Sequence, residues 1–192
     1  MLMGGFSYTA GMEKKLDPSH LDIVAFARDG ASLEGQSPLT ALPRLLEEQF
    51  AGDLQAGQVV WRLDGRLVPQ SGGADQIWLD LVASVALPMQ CQRCLTPVLE
   101  TVEAERSFRF VADETTAAAL DDEAEEDILV ISRDFDALAL VEDELILSLP
   151  LVPLHEVCPK VMPMSAVDPE FESESVKPNP FGVLAGLKTG KS

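Results

Sequence analysis

The sequence predicts an α+β fold: an antiparallel β-sheet, or a partly open barrel, of about five to seven strands with two or three packed helices. Three observations carry this. Ile77, Leu79, Leu81, Ala83, Val85 and Leu87 alternate with Trp78, Asp80, Val82, Ser84 and Ala86, the period of a long strand with one apolar face. Val98 to Val111 repeats that period after a short turn, with Val98, Val102, Ala104, Phe108 and Phe110 on one side. Downstream, Leu138, Val141, Leu145, Ile146 and Leu149 form a helical stripe.

In chain order, the first 11 residues carry no legible pattern and are expected to be disordered, and Met12, which opens an ordinary-looking start, stands beside Met1 as an alternative first residue. Residues 12–158 are expected to form one α+β domain. Thr40 to Phe50 predicts a short helix, because Pro43 suits a first turn and Leu42, Leu45, Leu46 and Phe50 share a face. Gln58 to Gln70 predicts two strands around Asp64-Gly65, a dipeptide suited to a tight hairpin. The two long strands come next, joined through Cys91 to Cys94, and consecutive strands with short turns imply an antiparallel meander. Ala112 to Asp127 has no periodicity and reads as a solvated, disordered acidic loop spanning 112–127. Ile128 to Ser132 returns to strand character. Asp136 is placed to cap the last helix, with Glu142, Asp143 and Glu144 turned outward and Pro150 and Pro153 ending it. From 159 to 192 the chain reads as a Pro-rich linker and a short terminal motif, with Pro159, Pro163, Pro169, Pro178 and Pro180 along it.

The 192 residues are 46% apolar and 24% charged, with a mean hydropathy of +0.10, which describes a folded globular chain. No apolar run approaches the ~18 residues of a membrane span, so no membrane partner is expected. The net charge of −18 argues against indiscriminate binding of nucleic acid or anionic membrane. That charge is uneven. Residues 1–53 stand at −4, 54–111 at −1, 112–175 at −16 and 176–192 at +3. The near-neutral sheet segment therefore leaves room for a local RNA contact. Three cysteines, an odd count, and no signal-peptide pattern imply a reducing, cytoplasmic setting.

Four constellations bear on chemistry. Cys91-Gln92-Arg93-Cys94 has a spacing that lets two sulfurs converge on one atom, and His155-Glu156-Val157-Cys158 offers a second pair just after a helix. The four donors Cys91, Cys94, His155 and Cys158 would make a closed tetrahedral zinc site. Inert thiols and a redox dithiol are the alternatives, the last lacking a helix N-terminus to activate a thiol. Arg62, Arg66, Arg93, Arg106 and Arg109, with Trp61 and Trp78 nearby, could grip phosphate and stack a base, or be five ordinary solvated charges. Lys177 to Leu184 is an apolar, basic segment on a tether, fit either to fold back or to dock in a partner's groove, with Asn179, Pro180, Phe181, Val183 and Leu184 as its contact candidates. Ala185 to Ser192 matches a permissive phosphate-loop pattern but lacks the preceding strand and following helix that would hold an anion. No catalytic triad, paired catalytic carboxylates or nucleotide fingerprint is present, so no catalytic residue and no small-molecule substrate is expected.

Three of these segments in order, Cys91-Gln92-Arg93-Cys94-Leu95, Val141 to Pro150 with Pro153 and His155, and Lys177 to Leu184, resemble the YceD family of large ribosomal RNA subunit accumulation proteins. The resemblance implies a ribosome biogenesis factor that supports synthesis, processing or stability of large-subunit (23S) rRNA without catalysis. Its implied partner is that rRNA or its precursor, met directly through the sheet arginines or through a basic ribosomal protein held by the acidic segment. Gly182 and Gly186 depart from a strong helix former in the terminal motif.

Overall fold

The computed structural model describes residues 16–51, 55–121 and 124–160. The N-terminal segment, the Pro-rich linker beyond Lys160, the phosphate-loop-like stretch and the terminal motif with Asn179, Pro180, Phe181, Val183 and Leu184 lie outside them. The chain divides into a unit ending at Cys158 and a second from Pro159 to Ser192, and the fold below is that of the first.

Five strands form one open sheet in sequence order: β1 (Ser32–Ser37), β2 (Val59–Val68), β3 (Gln76–Gln90), β4 (Pro97–Val111) and β5 (Asp127–Val130). The first four are an antiparallel meander and β5 runs parallel to β4. Since β1 and β5 are opposite edges, the sheet does not close and the barrel alternative is set aside. Among the described residues four α-helices accompany it: α1 (Ile23–Arg28), α2 (Pro43–Glu47), α3 (Glu114–Asp121) and α4 (Ala137–Leu147).

The two long strands take their predicted form because side chains alternate across a pleated ribbon. Leu79, Leu81, Ala83, Val85 and Leu87 of β3 and Val98, Val102, Ala104, Phe108 and Phe110 of β4 are buried on one face. Helices α1 and α4 pack against the strands, and α2 packs on α4. The opposite face of the sheet is open, with Val60, Val82 and Leu99 exposed among its polar side chains.

The expected hairpin at Asp64-Gly65 is a misreading, because β2 passes straight through both residues. The turn comes later, between Val68 and Gln76, where Gly72 takes a positive φ of 81°. Gly65 serves a different need. A Cβ there would stand 2.6 Å from Phe26 Cδ1 and 2.9 Å from the Phe26 carbonyl carbon and oxygen, so α1 can lie on β2 only where the side chain is missing. Gly65→Ala is expected to destabilise by about 1–3 kcal/mol through this overpacking, read from urea denaturation. A change within about 0.5 kcal/mol, the size of an uninvolved substitution, would mean that α1 can shift freely.

Three other expectations change. Thr40 to Phe50 is not one helix: a 3₁₀ turn (Leu39–Ala41) and α2 meet at Leu42, which sits outside helical geometry at φ −122°. The acidic stretch read as disordered contains α3, where Asp113 accepts hydrogen bonds from the Thr116 amide at 2.9 Å and hydroxyl at 3.1 Å. Ala117, Ala118 and Ala119 supply the propensity, a local effect that counting charges overlooks. Finally, α4 begins after Asp136 as expected, with the Asp136 carboxylate accepting from the Ala139 amide at 2.9 Å, but Glu142 and Glu144 are buried at 5% and 6% exposure rather than turned outward. Each faces an arginine. Glu142 meets Arg44 of α2 at 2.9 Å, and Glu144 meets Arg106 of β4 at 3.4 Å.

Candidate metal centre

Strand β3 ends at Gln90 and β4 begins at Pro97, and the chain between them folds into a tight knuckle. The Cys91 amide donates to the Thr96 carbonyl at 3.0 Å and the Leu95 amide to the Cys91 carbonyl at 2.9 Å. Leu95 takes a positive φ of 59°, the left-handed region where a Cβ is strained. Leu95→Gly is expected to stabilise by about 0.5–1 kcal/mol, the strain relieved less the added entropy of an unfolded glycine. Thermal denaturation of the two proteins checks it, and a drop in stability would place the weight on the Leu95 side chain instead.

The segment after α4 returns to this knuckle. Among its residues Pro153 is buried, and its carbonyl accepts from the Gln92 amide at 2.9 Å. Leu151, Val152 and Val157 are exposed, so little apolar packing fixes the segment. What meets instead is a set of donors: one ligand atom each from Cys91, Cys94, His155 and Cys158, all within 4.8 Å of one another. His155 Nδ1 lies 3.4 Å from Cys94 Sγ, and the His155 amide donates to Cys91 Sγ at 3.5 Å. The two residue pairs noted in the sequence thus converge, in an arrangement that could hold a metal ion.

The electrostatics favour thiolates at the knuckle. Burial pushes the Cys91 thiol up, but the amide hydrogen bonds from His155, Cys94 and Arg93 outweigh it and bring its pKa down to about 5. The Thr96 hydroxyl, 3.1 Å from Cys94 Sγ, lowers the Cys94 thiol. His155 is raised by its bonds to Cys91 and Cys94, while Cys158 is raised by burial and its sulfur neighbours. Amide and hydroxyl donors aimed at sulfur are the surroundings that coordinated thiolates need.

Arg62, Arg66 and Arg109 share the open face of the sheet with Trp78, but carboxylates neutralise them there. Arg62 is bonded to Asp64 at 2.7 Å, Arg66 to Asp80 at 2.6 Å, and Arg109 reaches Glu126 at 3.5 Å. Arg66 also lies over the Trp78 ring, 4.6 Å from its centroid. Arg106 is on the helix-covered side, against Glu144. Arg93, exposed within the knuckle, is 3.9 Å from Cys158 Sγ, and no carboxylate among the described residues pairs with it. Sequence reasoning missed these pairings because most of the carboxylates lie on other elements. Nor did it find Glu142 and Glu144, whose burial depends on α2 and β4.

No helix among the described residues is long and apolar enough to cross a membrane. The family model described as "Large ribosomal RNA subunit accumulation protein YceD" matches residues 79–188, which include the knuckle and the His-Cys pair. A Haemophilus influenzae protein named Large ribosomal RNA subunit accumulation protein YceD is 39% identical over 185 residues, spanning 92% of this chain and 99% of the relative. No solved structure matches the chain. Matching the family model over more than half its length and this relative almost end to end, the chain belongs to the YceD family of large ribosomal RNA subunit accumulation proteins.

Proposed function

We propose that this protein supports accumulation of large-subunit (23S) rRNA by binding rather than by catalysis, and that Cys91, Cys94, His155 and Cys158 hold a single structural zinc ion. The closed donor set is the observation that carries the reading. Three sulfurs and one ring nitrogen are the four donors that a tetrahedral zinc ion takes, and with all four engaged no position would be left for a water or substrate. When bound, the ion would clamp the segment after α4 to the knuckle. A dithiol enzyme fits less well, since the Cys-x-x-Cys pair follows a strand and not a βα turn. The family supplies the rRNA.

How the rRNA is reached is the finer question. Arginines already bonded to carboxylates offer less to phosphate, because binding RNA must first break those pairs. The pairing of Arg62, Arg66, Arg106 and Arg109 therefore favours action through a basic ribosomal protein over direct contact. Two experiments test this. Cells lacking the chain are expected to show a lowered ratio of large-subunit to small-subunit rRNA, and an unchanged ratio would overturn the function. Pre-rRNA fragments are expected to bind wild type and an Arg62/Arg66/Arg93 triple Ala variant equally weakly. Tight, salt-sensitive binding lost in the variant would restore the direct route.

A further inference from the structure

One groove is used by neither the metal centre nor the fold. It runs between α4 and the β4–β5 edge and has a volume of about 810 Å³. Carboxylates outnumber cations on its walls, with Glu47, Glu48, Asp127, Asp143 and Glu144 set against Arg44 and Arg106. Arg44 is already committed to Glu142 and Asp143. The remaining lining is apolar, including Ile128, Leu140 and Leu147, and Leu147 is 75% exposed. Among the described residues nothing covers this leucine, and it continues the apolar lining of the groove to the surface.

Glu144 adds the second half. It is more than nine-tenths buried, yet its ion-pair partner among the described residues is Arg106, 3.4 Å away with a side chain 53% exposed. Burial outweighs that cation and pushes the carboxyl's pKa up. With Glu47, Glu48, Asp127 and Asp143 beside this pair, the groove carries more negative than positive charge, which favours a further cation entering it and repels phosphate.

We propose that this groove docks a basic segment of a protein partner, a Lys or Arg of which pairs with Glu144 while an adjacent apolar side chain lies on Leu147. The inference rests on the reading that the chain acts by binding, and it supplies the partner's chemistry: cationic and apolar residues close together in one peptide.

A fluorescein-labelled peptide of alternating lysine and leucine, titrated by anisotropy against the full chain, is the probe. Glu144→Gln and Leu147→Ser are each expected to weaken binding by about tenfold, as central contacts do. Glu103→Gln, which removes the same charge from an exposed site on β4, is expected to change it less than about twofold. Equal losses in Glu103→Gln and Glu144→Gln would reduce the attraction to overall acidity and overturn the proposal. Unchanged affinity in Leu147→Ser, an exposed position that carries the test even if Glu144→Gln folds poorly, would also overturn it. So would oligouridine binding, or self-association of the chain, abolished by Leu147→Ser, which would give the groove to RNA or to a second copy. The two readings fail separately. Normal rRNA in cells lacking the chain removes the function whatever the peptide does, whereas an rRNA defect restored fully by Leu147→Ser removes only the groove.

Discussion

Cys91→Ser protein is expected to retain no stoichiometric zinc and to melt about 8–16 °C below the zinc-loaded wild type. The magnitude follows from linkage. A ligand that binds only the folded state and is present at about a thousandfold above its dissociation constant stabilises by about 4 kcal/mol, and each kcal/mol moves the midpoint of a domain this size by about 2–4 °C. The sulfur is well placed for that role, since the His155, Cys94 and Arg93 amides hold it toward the thiolate. Metal analysis and calorimetry read the two halves, and a chelator added to wild type should reproduce the variant. Inert cysteines would give a different pair of results: no metal in either protein, and a small shift that the chelator does not reproduce. Loss of zinc should be felt most in residues 149–158, where hydrogen exchange is expected to rise while β3 and β4 stay protected. That contrast separates a clamp on one segment from general unfolding.

The elements that were legible before the structure are those whose residues carry their own explanation. Strands β3 and β4 are 15 residues each, long enough that the alternation within them leaves no competing period. Helix α4 announces itself through Asp136 and its apolar stripe. Helix α1 spans only six residues, too short for periodicity to register, and β1, Ser-Leu-Glu-Gly-Gln-Ser, has few β-formers and is held by its pairing to β2. Asp64-Gly65 misled because the same glycine suits a turn and a close helix crossing, and only Phe26 decides between them. The candidate site divides in the same way. Cysteine and histidine spacing is local and pointed to the four donors, whereas ion pairs are tertiary: Arg66 meets Asp80 on another strand and Arg106 meets Glu144 on a helix. Charge read along the chain therefore placed the arginines but not their partners.

Glu142 shows what such a hidden pairing is worth. Helix α2 begins at Pro43 with no side-chain cap of its own, which leaves its first amides without partners. The Glu142 carboxylate supplies the cap from α4, accepting from the Arg44 amide at 2.7 Å and the Leu45 amide at 3.1 Å, while the Arg44 guanidinium bonds its other oxygen at 3.0 Å. Glu142→Ala is expected to cost about 2–4 kcal/mol, through the lost cap and the buried amides left unsatisfied, and to lower the melting midpoint by roughly 4–16 °C. Arg44→Ala tests where that energy resides. The Arg44 side chain is 52% exposed, so water screens its ion pair and leaves it a minor contribution, and the variant keeps both backbone amides bonded to Glu142. Glu142→Gln should fall between the two, because its amide oxygen still accepts but carries no charge. If Arg44→Ala proves as damaging as Glu142→Ala, the ion pair and not the borrowed cap fastens α2 to α4. If the predicted order holds, the buried acid in Val141-Glu142-Asp143-Glu144-Leu145 is part of the core, and its negative charge answers the start of a neighbouring helix.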